Sequence, residues 1–429
     1  MRAKTVREHE PIGLPDGDSS SYDEQLRDGL CLNPKAAPPA RKYFLQWDPL
    51  AVGAGYVASY VVGVQWVKTS AHGKFPLAVL PKVEDIDYLE MFMQCFSNPD
   101  GHESFHEIYG IDFEADPIES EALESILSPL LVVQYVHLVQ QLLHKDLRKS
   151  YVPESGNLHK VRGRIAISTN FRTNVMRGRQ HKVCCDYQEY TSDTIENRII
   201  KKALTLSKTL INRLRSASAA RLNALINVSL SKMAEVSDSV SLCELRSVKY
   251  NPIYKGYREA LKLARYILRR YDFHLSDASG SLARIPPFWV DMPLLFEHYV
   301  GGILARAYPG DIVYQAKGKT GYPDFLSKKA GAILDAKYKP QLDRNNPETD
   351  IVRQLAGYSR DCAILDLISA DGKTIVPCAF IYPDGNAADK GDVVFSRPLS
   401  ELLSPASGYA VKGLTDFYCI GIRVPKLAK

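Results

Sequence analysis

One apolar run with two charges on a single face constrains this chain more than any other feature. Gly331-Ala-Ile-Leu-Asp-Ala-Lys-Tyr-Lys339 alternates as a β-strand does, so Asp335 and Lys337, two residues apart, project from the same face. A strand this apolar belongs inside a sheet, where a charge is expensive unless it is paired or given a ligand. Pro323-Asp324 precedes Asp335 by ten residues and brings a second carboxylate to the same neighbourhood. Two carboxylates and an ammonium in this order are the groups a metal-dependent phosphodiesterase needs.

Two helices flank these strands in sequence. Asp291-Met-Pro-Leu-Leu-Phe-Glu-His-Tyr-Val300 has an N-cap Asp, an early Pro and an apolar stripe, which puts Glu297 at the edge of a buried face, where its carboxylate could enter a metal shell. Asp350-Ile-Val-Arg-Gln-Leu-Ala-Gly-Tyr358 is a helix on which Asp350, Gln354 and Tyr358 share a face at spacings of four. Taken singly, each feature has a plain reading. Asp335 with Lys337 is a strand-edge salt bridge, Glu297 a solvated helix residue, and Gln354 with Tyr358 ordinary packing. The order Glu, Pro-Asp, Asp-x-Lys, Gln-x-x-x-Tyr is far more restrictive than any one member.

At 429 residues the chain is long enough for two or three domains, and 45% hydrophobic with 24% charged residues describes a globular protein. The best apolar run, Leu130 to Val139, is interrupted by Gln134 and His137 and falls short of a membrane span. The first residues lack the apolar centre of a secretion signal. Eight cysteines without a Cys-x-x-Cys pair argue against a zinc site or a disulfide framework, and a reducing cytoplasm is expected.

Charge is segregated. Between residues 84 and 125 there are thirteen Asp or Glu and no Lys or Arg, whereas residues 160–215 carry thirteen Lys or Arg against four acids. A phosphate backbone is repelled by the first stretch and attracted by the second, although a charge run is often just a solvated face. Residues 1–42, rich in Pro, Gly, Ser and Asp, read as a partly ordered lead-in. A β-rich N-terminal domain with an acidic helical segment is expected over 43–125. A mixed, largely helical region with the basic segment follows over 126–284, including a helix from Ser128 to Leu147 and another opened by the capping box Asp193-Thr-Ile-Glu196. An α/β unit follows over 285–429.

The ordered set of motifs resembles the PD-(D/E)xK nuclease superfamily, in the branch that also carries the Gln-x-x-x-Tyr helix. The resemblance narrows to the McrC family, the nuclease subunit of McrBC-type modification-dependent restriction systems. It is carried outside the core by Val6-Arg-Glu-His-Glu-Pro-Ile12, Leu77-Ala-Val-Leu-Pro-Lys82, Val161-Arg-Gly-Arg-Ile165, Tyr187 through Ile200, Phe296-Glu297 and Phe380-Ile-Tyr-Pro383. It implies an α/β multidomain chain with a C-terminal restriction-endonuclease-like domain, a mixed sheet with flanking helices, cutting DNA with Mg²⁺ (Mn²⁺ as substitute). By resemblance Asp324, Asp335, the Ala336 carbonyl and Glu297 would bind or organise the ion. Lys337 would orient or deprotonate water and offset developing charge, and Gln354 and Tyr358 would position the strand or the ligands.

The same resemblance implies a partner, a McrB-like AAA+ hexameric GTPase or ATPase. It also implies double-stranded, modified DNA as substrate, a role in phage defence and no membrane. The middle region would be the stalk that meets the ring, with the loop from Arg172 to Lys182 as the candidate activating contact. The chain has no P-loop of its own: Gly318-Lys-Thr320 and Gly372-Lys-Thr374 both lack the Gly four residues before Gly-Lys. The alternatives are a non-cleaving activator or adaptor of the ring, or a stand-alone RecB-type exonuclease.

Overall fold

The computed structural model describes residues 3–12, 29–33, 41–48, 55–69, 73–96, 107–120, 123–145, 147–214, 216–241, 244–245, 255–272, 284–340, 342–343, 347–370 and 374–427. The chain divides into two compact units. One comprises Met1–Leu130, Arg215–Ser218 and Gly280–Lys429, the other Leu131–Leu214 and Ala219–Ser279. Much of the expected lead-in, residues 97–106 and 121–122 of the acidic stretch, Cys243 and residues 372–373 of the second Gly-Lys-Thr motif lie outside the described residues.

In the first unit, a five-stranded sheet runs in the order Lys4–Arg7, Gly73–Leu80, Val61–Thr69, Phe288–Asp291, Tyr109–Ile111. A four-stranded sheet joins Pro11–Ile12, Gly55–Ala58, Tyr43–Asp48 and Leu30–Cys31. Val6, Ile12, Phe44, Leu45, Tyr56, Val61, Phe75 and Leu77 form one core across these strands. Two expectations are corrected here. The described parts of 1–42 contribute short strands to both sheets: Lys4–Arg7 pairs in parallel with Gly73–Leu80 and needs only Val6 to face the core. So short a strand is held by its backbone ladder rather than by an apolar pattern. The boundary near 285 also moves, because Phe288–Asp291 pairs with Val61–Thr69 and so belongs to the N-terminal sheet.

Asp291 ends that strand and starts the next helix. Its side chain accepts from the Leu294 amide at 3.1 Å as the N-cap of Met292–Ala307, and it is ion-paired with Lys42 at 2.7 Å. This helix crosses Tyr88–Cys95 so closely that a Cβ at Gly302 would lie 2.0 Å from the Gln94 carbonyl oxygen. His298 on the same helix has no exposed surface, and its Nε2 is 3.3 Å from the Tyr314 hydroxyl.

Beyond the helix comes a second five-stranded sheet in simple order: Ile312–Tyr314, Phe325–Ser327, Ala332–Ala336, Cys378–Pro383, Phe417–Ile422. The first three strands are antiparallel and the last two join in parallel. Leu326, Ile333, Cys378, Phe380 and Cys419 pack against Ile351, Leu355 and Tyr358 of the helix Thr349–Tyr358 and against Ile364 of Cys362–Leu367. Ile333 shares strand parity with Asp335 and Lys337, so the face that carries the charges is the one these helices cover.

The second unit is built on the helices Ile195–Ile211, Ala219–Lys232 and Lys255–Ile267 and on a three-stranded sheet, Ser150–Leu158, Val183–Thr191 and Arg164–Ile165. The N-cap of Ile195–Ile211 is Thr194, which accepts from the Asn197 amide, and not Asp193. Asp193 instead grips Arg198 through both oxygens at 2.7 and 2.8 Å. Asn197, fully buried, donates to the carbonyls of Arg148 and Ser192 and accepts from the Tyr257 hydroxyl. The Tyr187 to Ile200 motif is thus anchored by a satisfied polar hub, which fixes where the sheet ends and the helix begins.

The helix Glu124–Leu143 corrects the expected short apolar run. By length and composition its 20 residues could cross a membrane, yet most of it is buried within the fold. Leu127, Leu130, Leu131, Tyr135 and Val139 have almost no exposed surface, which marks a core helix. All seven cysteines among the described residues are free.

Gly302→Ala is expected to lower the melting temperature by several degrees, because a methyl against a backbone oxygen costs about 1–3 kcal/mol of overpacking. Gly357→Ala, with nothing within 4 Å of its Cβ, should leave stability unchanged or improve it by about 0.4–1 kcal/mol. A thermal melt of the two variants beside the parent checks both. His298 supplies a pH signature, since burial, aided by Lys42, pulls its pKa down to about 4. Below its ordinary pKa of about 6.5 the unfolded chain takes a proton that the folded chain refuses. The stability associated with a neutral His298 is therefore complete above that pH and falls by about 3 kcal/mol as pH drops toward 4. Urea titrations at pH 7.5 and 4.5 should show a smaller loss in His298→Gln than in the parent.

Candidate active site

Asp335 is the deepest charge in the described chain. It has no exposed surface, its Oδ2 is paired with Lys337 Nζ at 2.7 Å, and its Oδ1 has no hydrogen-bond partner among the described residues. The strand explains the pairing, because Ala332–Ala336 is held between Phe325–Ser327 and Cys378–Pro383, and the Lys337 amide continues the ladder to the Ile381 carbonyl at 2.8 Å. Burial raises the Asp335 pKa, and the Lys337 charge works against that rise. For Lys337, burial acts downward, but Asp335 and Asp324 outweigh it and the ammonium is held above its ordinary value.

Asp324 enters from the neighbouring strand. Its Oδ2 accepts from the Ala336 amide at 2.7 Å, while its carbonyl accepts from the Gln315 amide at 2.9 Å. One residue thus ties three strand ends together. Its carboxyl is pushed well above the usual range by burial first, then by the charges of Glu297 and Asp335. Glu297 comes from the helix Met292–Ala307, where Oε1 accepts from the Tyr314 hydroxyl at 2.9 Å and from Gln315 Nε2 at 2.8 Å. Its pKa is raised by burial, with those two donors opposing.

Three carboxylates and one ammonium leave the cluster with two net negative charges when all are ionised. Burial is the first cause of all three upward pKa shifts, and like charge adds to it at Glu297 and Asp324. Among the described residues no three His, Cys, Asp or Glu side chains close into a ready metal cage. A hard cation that keeps most of its waters, as Mg²⁺ does, would need only one or two carboxylates from the protein. Asp335 Oδ1, which has no partner, and the Asp324 carboxylate, whose Oδ2 already accepts from the Ala336 amide, are the oxygens that could hold one. Glu297 Oε1 is already committed to Tyr314 and Gln315.

The helix Thr349–Tyr358 covers the cluster. Gln354, exposed, donates from Nε2 to the Tyr358 hydroxyl at 3.1 Å, and Tyr358 is near enough to raise the Lys337 pKa. Asp350, on the same face, is almost wholly exposed and meets only Arg353 at 3.6 Å. Glu297, Asp324, Asp335, Lys337 and Tyr358 therefore interact as one group, with Gln354 attached through Tyr358.

Sequence reasoning missed Tyr314, Gln315 and Asp361. Gln315 holds φ at +44°, a left-handed backbone unusual for a residue with a side chain, and that turn aims its amide at Glu297. Asp361 caps Cys362–Leu367 and accepts from the backbone amides of Lys319 and Thr320 and from the Thr320 hydroxyl. Those donors hold its carboxyl below the usual range, the Thr320 amide foremost. The first Gly-Lys-Thr is thus a turn closed on a carboxylate of its own chain. The only signal for Asp361 was its place before an apolar helix.

The basic loop expected to meet a partner lies in the second unit, beside the long Ser150–Leu158 and Val183–Thr191 pairing. The helix Ile167–Thr173 buries none of its side chains, and Ile167, Phe171, Val175 and Met176 are all exposed beside Arg172, Arg177 and Arg179. Its backbone is nevertheless fixed. Asn174, fully buried, exchanges hydrogen bonds with Asn157 and donates to Asn170, which accepts from the Cys184 amide.

Among solved structures, the chain is similar to one in the refined half-complex from a tetradecameric assembly of Thermococcus gammatolerans McrB AAA+ hexamers with bound McrC. The identity is 15% over 98% of this chain and 94% of that one, with a TM-score of 0.36. A chain of the cryo-EM structure of the Thermococcus gammatolerans McrBC complex matches at 13% identity, over 71% of this chain and 87% of that one, with a TM-score of 0.31. No curated protein matches. A family model described as McrBC 5-methylcytosine restriction system component matches residues 62–359, from the second strand of the N-terminal sheet to just past Tyr358, and the chain belongs to that family.

Proposed function

We propose that this chain is the DNA-cutting subunit of a two-component restriction system, a Mg²⁺-dependent nuclease of the PD-(D/E)xK type that works with a McrB-like AAA+ GTPase or ATPase ring. The observation that carries the proposal is the fully buried Asp335, paired with Lys337 through Oδ2 and without a partner on Oδ1, beside two further carboxylates. An arrangement so unfavourable to folding is the kind that a site retains for chemistry. The family membership supports a restriction role, and the exposed Ile167, Phe171 and Met176 among arginines support a protein-binding surface on the second unit.

In this reading Asp324 and Asp335, with the Ala336 carbonyl, would hold the ion. When bound, Mg²⁺ supplies Lewis acidity toward the phosphate and an acidified water. Lys337, held above its ordinary pKa, stays an ammonium at neutral pH, so it orients the phosphate and offsets charge developing on its oxygens rather than taking a proton. Glu297, fixed by Tyr314 and Gln315, shapes the negative field from the helix side. Gln354 and Tyr358 close the edge along which a strand would pass. The intact carboxylates and lysine favour cutting over a purely adaptor role.

The chain alone should cut DNA poorly, and addition of its AAA+ partner with nucleoside triphosphate and Mg²⁺ should give double-strand cleavage. Asp335→Ala should abolish cleavage while stimulation of the partner's nucleotidase is kept. Strong cutting without triphosphate, or loss of both activities in the variant, would count against the proposal. Ion binding has its own readout in Asp324→Asn, which keeps an acceptor for the Ala336 amide but removes one of the crowded charges. Without divalent cation this variant should melt a few degrees higher than the parent, at roughly 2–4 °C per kcal/mol. With millimolar Mg²⁺ the parent should gain stability and the variant should not. Equal responses to Mg²⁺ would exclude Asp324 as a ligand.

A further inference from the structure

The turn before Pro323-Asp324 has a construction that its sequence disguises. Gly318-Lys-Thr320 looks like a fragment of a phosphate-cradling loop, but the amides of Lys319 and Thr320 are already bound to Asp361. The Gly318 amide closes the turn onto the Gly321 carbonyl at 2.9 Å. Gly321, at φ +144°, lies against the Tyr358 ring, and a Cβ at Gly318 would sit 2.7 Å from the Asp361 carboxylate. With its backbone donors consumed and both glycines packed, the turn has no anion-binding nest to offer. It is a rigid mount for its side chains.

Those side chains are Lys317, Lys319 and Tyr322, all exposed, with Tyr322 55% accessible. Tyr322 is two residues from Asp324, so by chain geometry its Cα lies within about 7 Å of that ligand candidate. Across the cluster the exposed Gln354 continues the same rim through its bond to Tyr358. Two cations and a large aromatic ring on a stiff turn next to a charged catalytic cluster match the chemistry of a nucleic-acid backbone with its sugar and base edges.

We propose that residues 317–322 form the grip on duplex DNA beside the scissile phosphate, with Lys317 and Lys319 on backbone phosphates and Tyr322 against the adjoining nucleotide. Asp361 is the positioning residue that keeps the turn in shape without touching DNA. The inference rests on the nuclease reading above and assigns the substrate contacts of that same site.

The test uses the full chain with its AAA+ partner and a fluorescent duplex that the parent complex cuts, with binding followed by anisotropy across 50–200 mM salt. K317E/K319E should flatten the slope of log affinity against log salt by about 1.8, so that between 50 and 200 mM salt the variant's affinity falls about tenfold less than the parent's, at about 0.9 per phosphate contact. Lys328→Glu, at the far end of the Phe325–Ser327 and Ala332–Ala336 hairpin, should leave the slope unchanged. Tyr322→Ala should raise KM for the duplex about tenfold with kcat within about twofold, and Tyr322→Phe should restore it, since the ring face rather than the hydroxyl makes the contact. Nucleotidase stimulation and melting temperature should stay at parental values in all of these. K317Q/K319Q, which removes the same two phosphate contacts without adding negative charge, should flatten the slope by about the same 1.8. An unchanged slope and KM in a complex that still cuts would overturn the grip. Loss of nucleotidase stimulation would assign the turn to the protein partner and overturn it equally. Failure of the parent complex to bind or cut any duplex would instead defeat the nuclease reading beneath it.

Discussion

Asp335 and Lys337 form the interaction around which the first unit is organised. A carboxylate without exposed surface, 2.7 Å from a single ammonium, is held in a sheet whose other inward residues are Leu326, Ile333, Phe380 and Cys419. Pairing lowers the cost of burying both charges but does not remove it, and Asp324 and Glu297 add like charge to the same place. The surrounding structure therefore has to hold these groups together against their repulsion. It does so through backbone, with the Ala336 amide on Asp324, the Lys337 amide on Ile381, and the Gln315 amide on the Asp324 carbonyl.

The rest of the first unit reads as support for that constraint. Asp291 joins the last strand of the N-terminal sheet to the helix that carries Glu297, and Lys42 neutralises it. The close contact of Gly302 with the Gln94 carbonyl fixes where that helix lies, and buried His298 beside Tyr314 fixes its rotation. A displacement of the N-terminal sheet would thus move Glu297 relative to Asp335. Segments almost 300 residues apart in sequence serve one charge cluster, which is why the N-terminal strands and the C-terminal sheet belong to one compact unit.

The second unit follows a different logic. Its polar hubs, Asn197 under the start of one helix and Asn174 under the exposed loop, are satisfied internally and leave the outward side chains free to be apolar and basic. A rigid backbone presenting Ile167, Phe171 and Met176 among arginines is pre-organised for binding, because little conformational entropy remains to be lost there. This surface and the charge cluster lie in different compact units of the chain.

Local sequence was enough for the elements whose pattern is periodic and for the identity of the charged groups. The Asp335 strand, the Asp291-capped helix and the Gln354 helix were legible because alternation and capping are short-range properties, and Asp324, Asp335, Lys337 and Tyr358 do meet. Tertiary structure alone decided that Lys4–Arg7 is a strand, that Phe288–Asp291 joins the N-terminal sheet, that Thr194 rather than Asp193 caps its helix, and that the apolar helix Glu124–Leu143 is buried. It also decided the partners of Glu297 and the closure of the 318–321 turn on Asp361. The physical reason is common to most of these, and even the local Thr194 cap depends on Asp193 being drawn away to Arg198 and the Ser237 amide. A strand of four residues, a single hydrogen-bond acceptor or a glycine against a distant carbonyl draws its stability from groups remote in the chain, and no local periodicity records them.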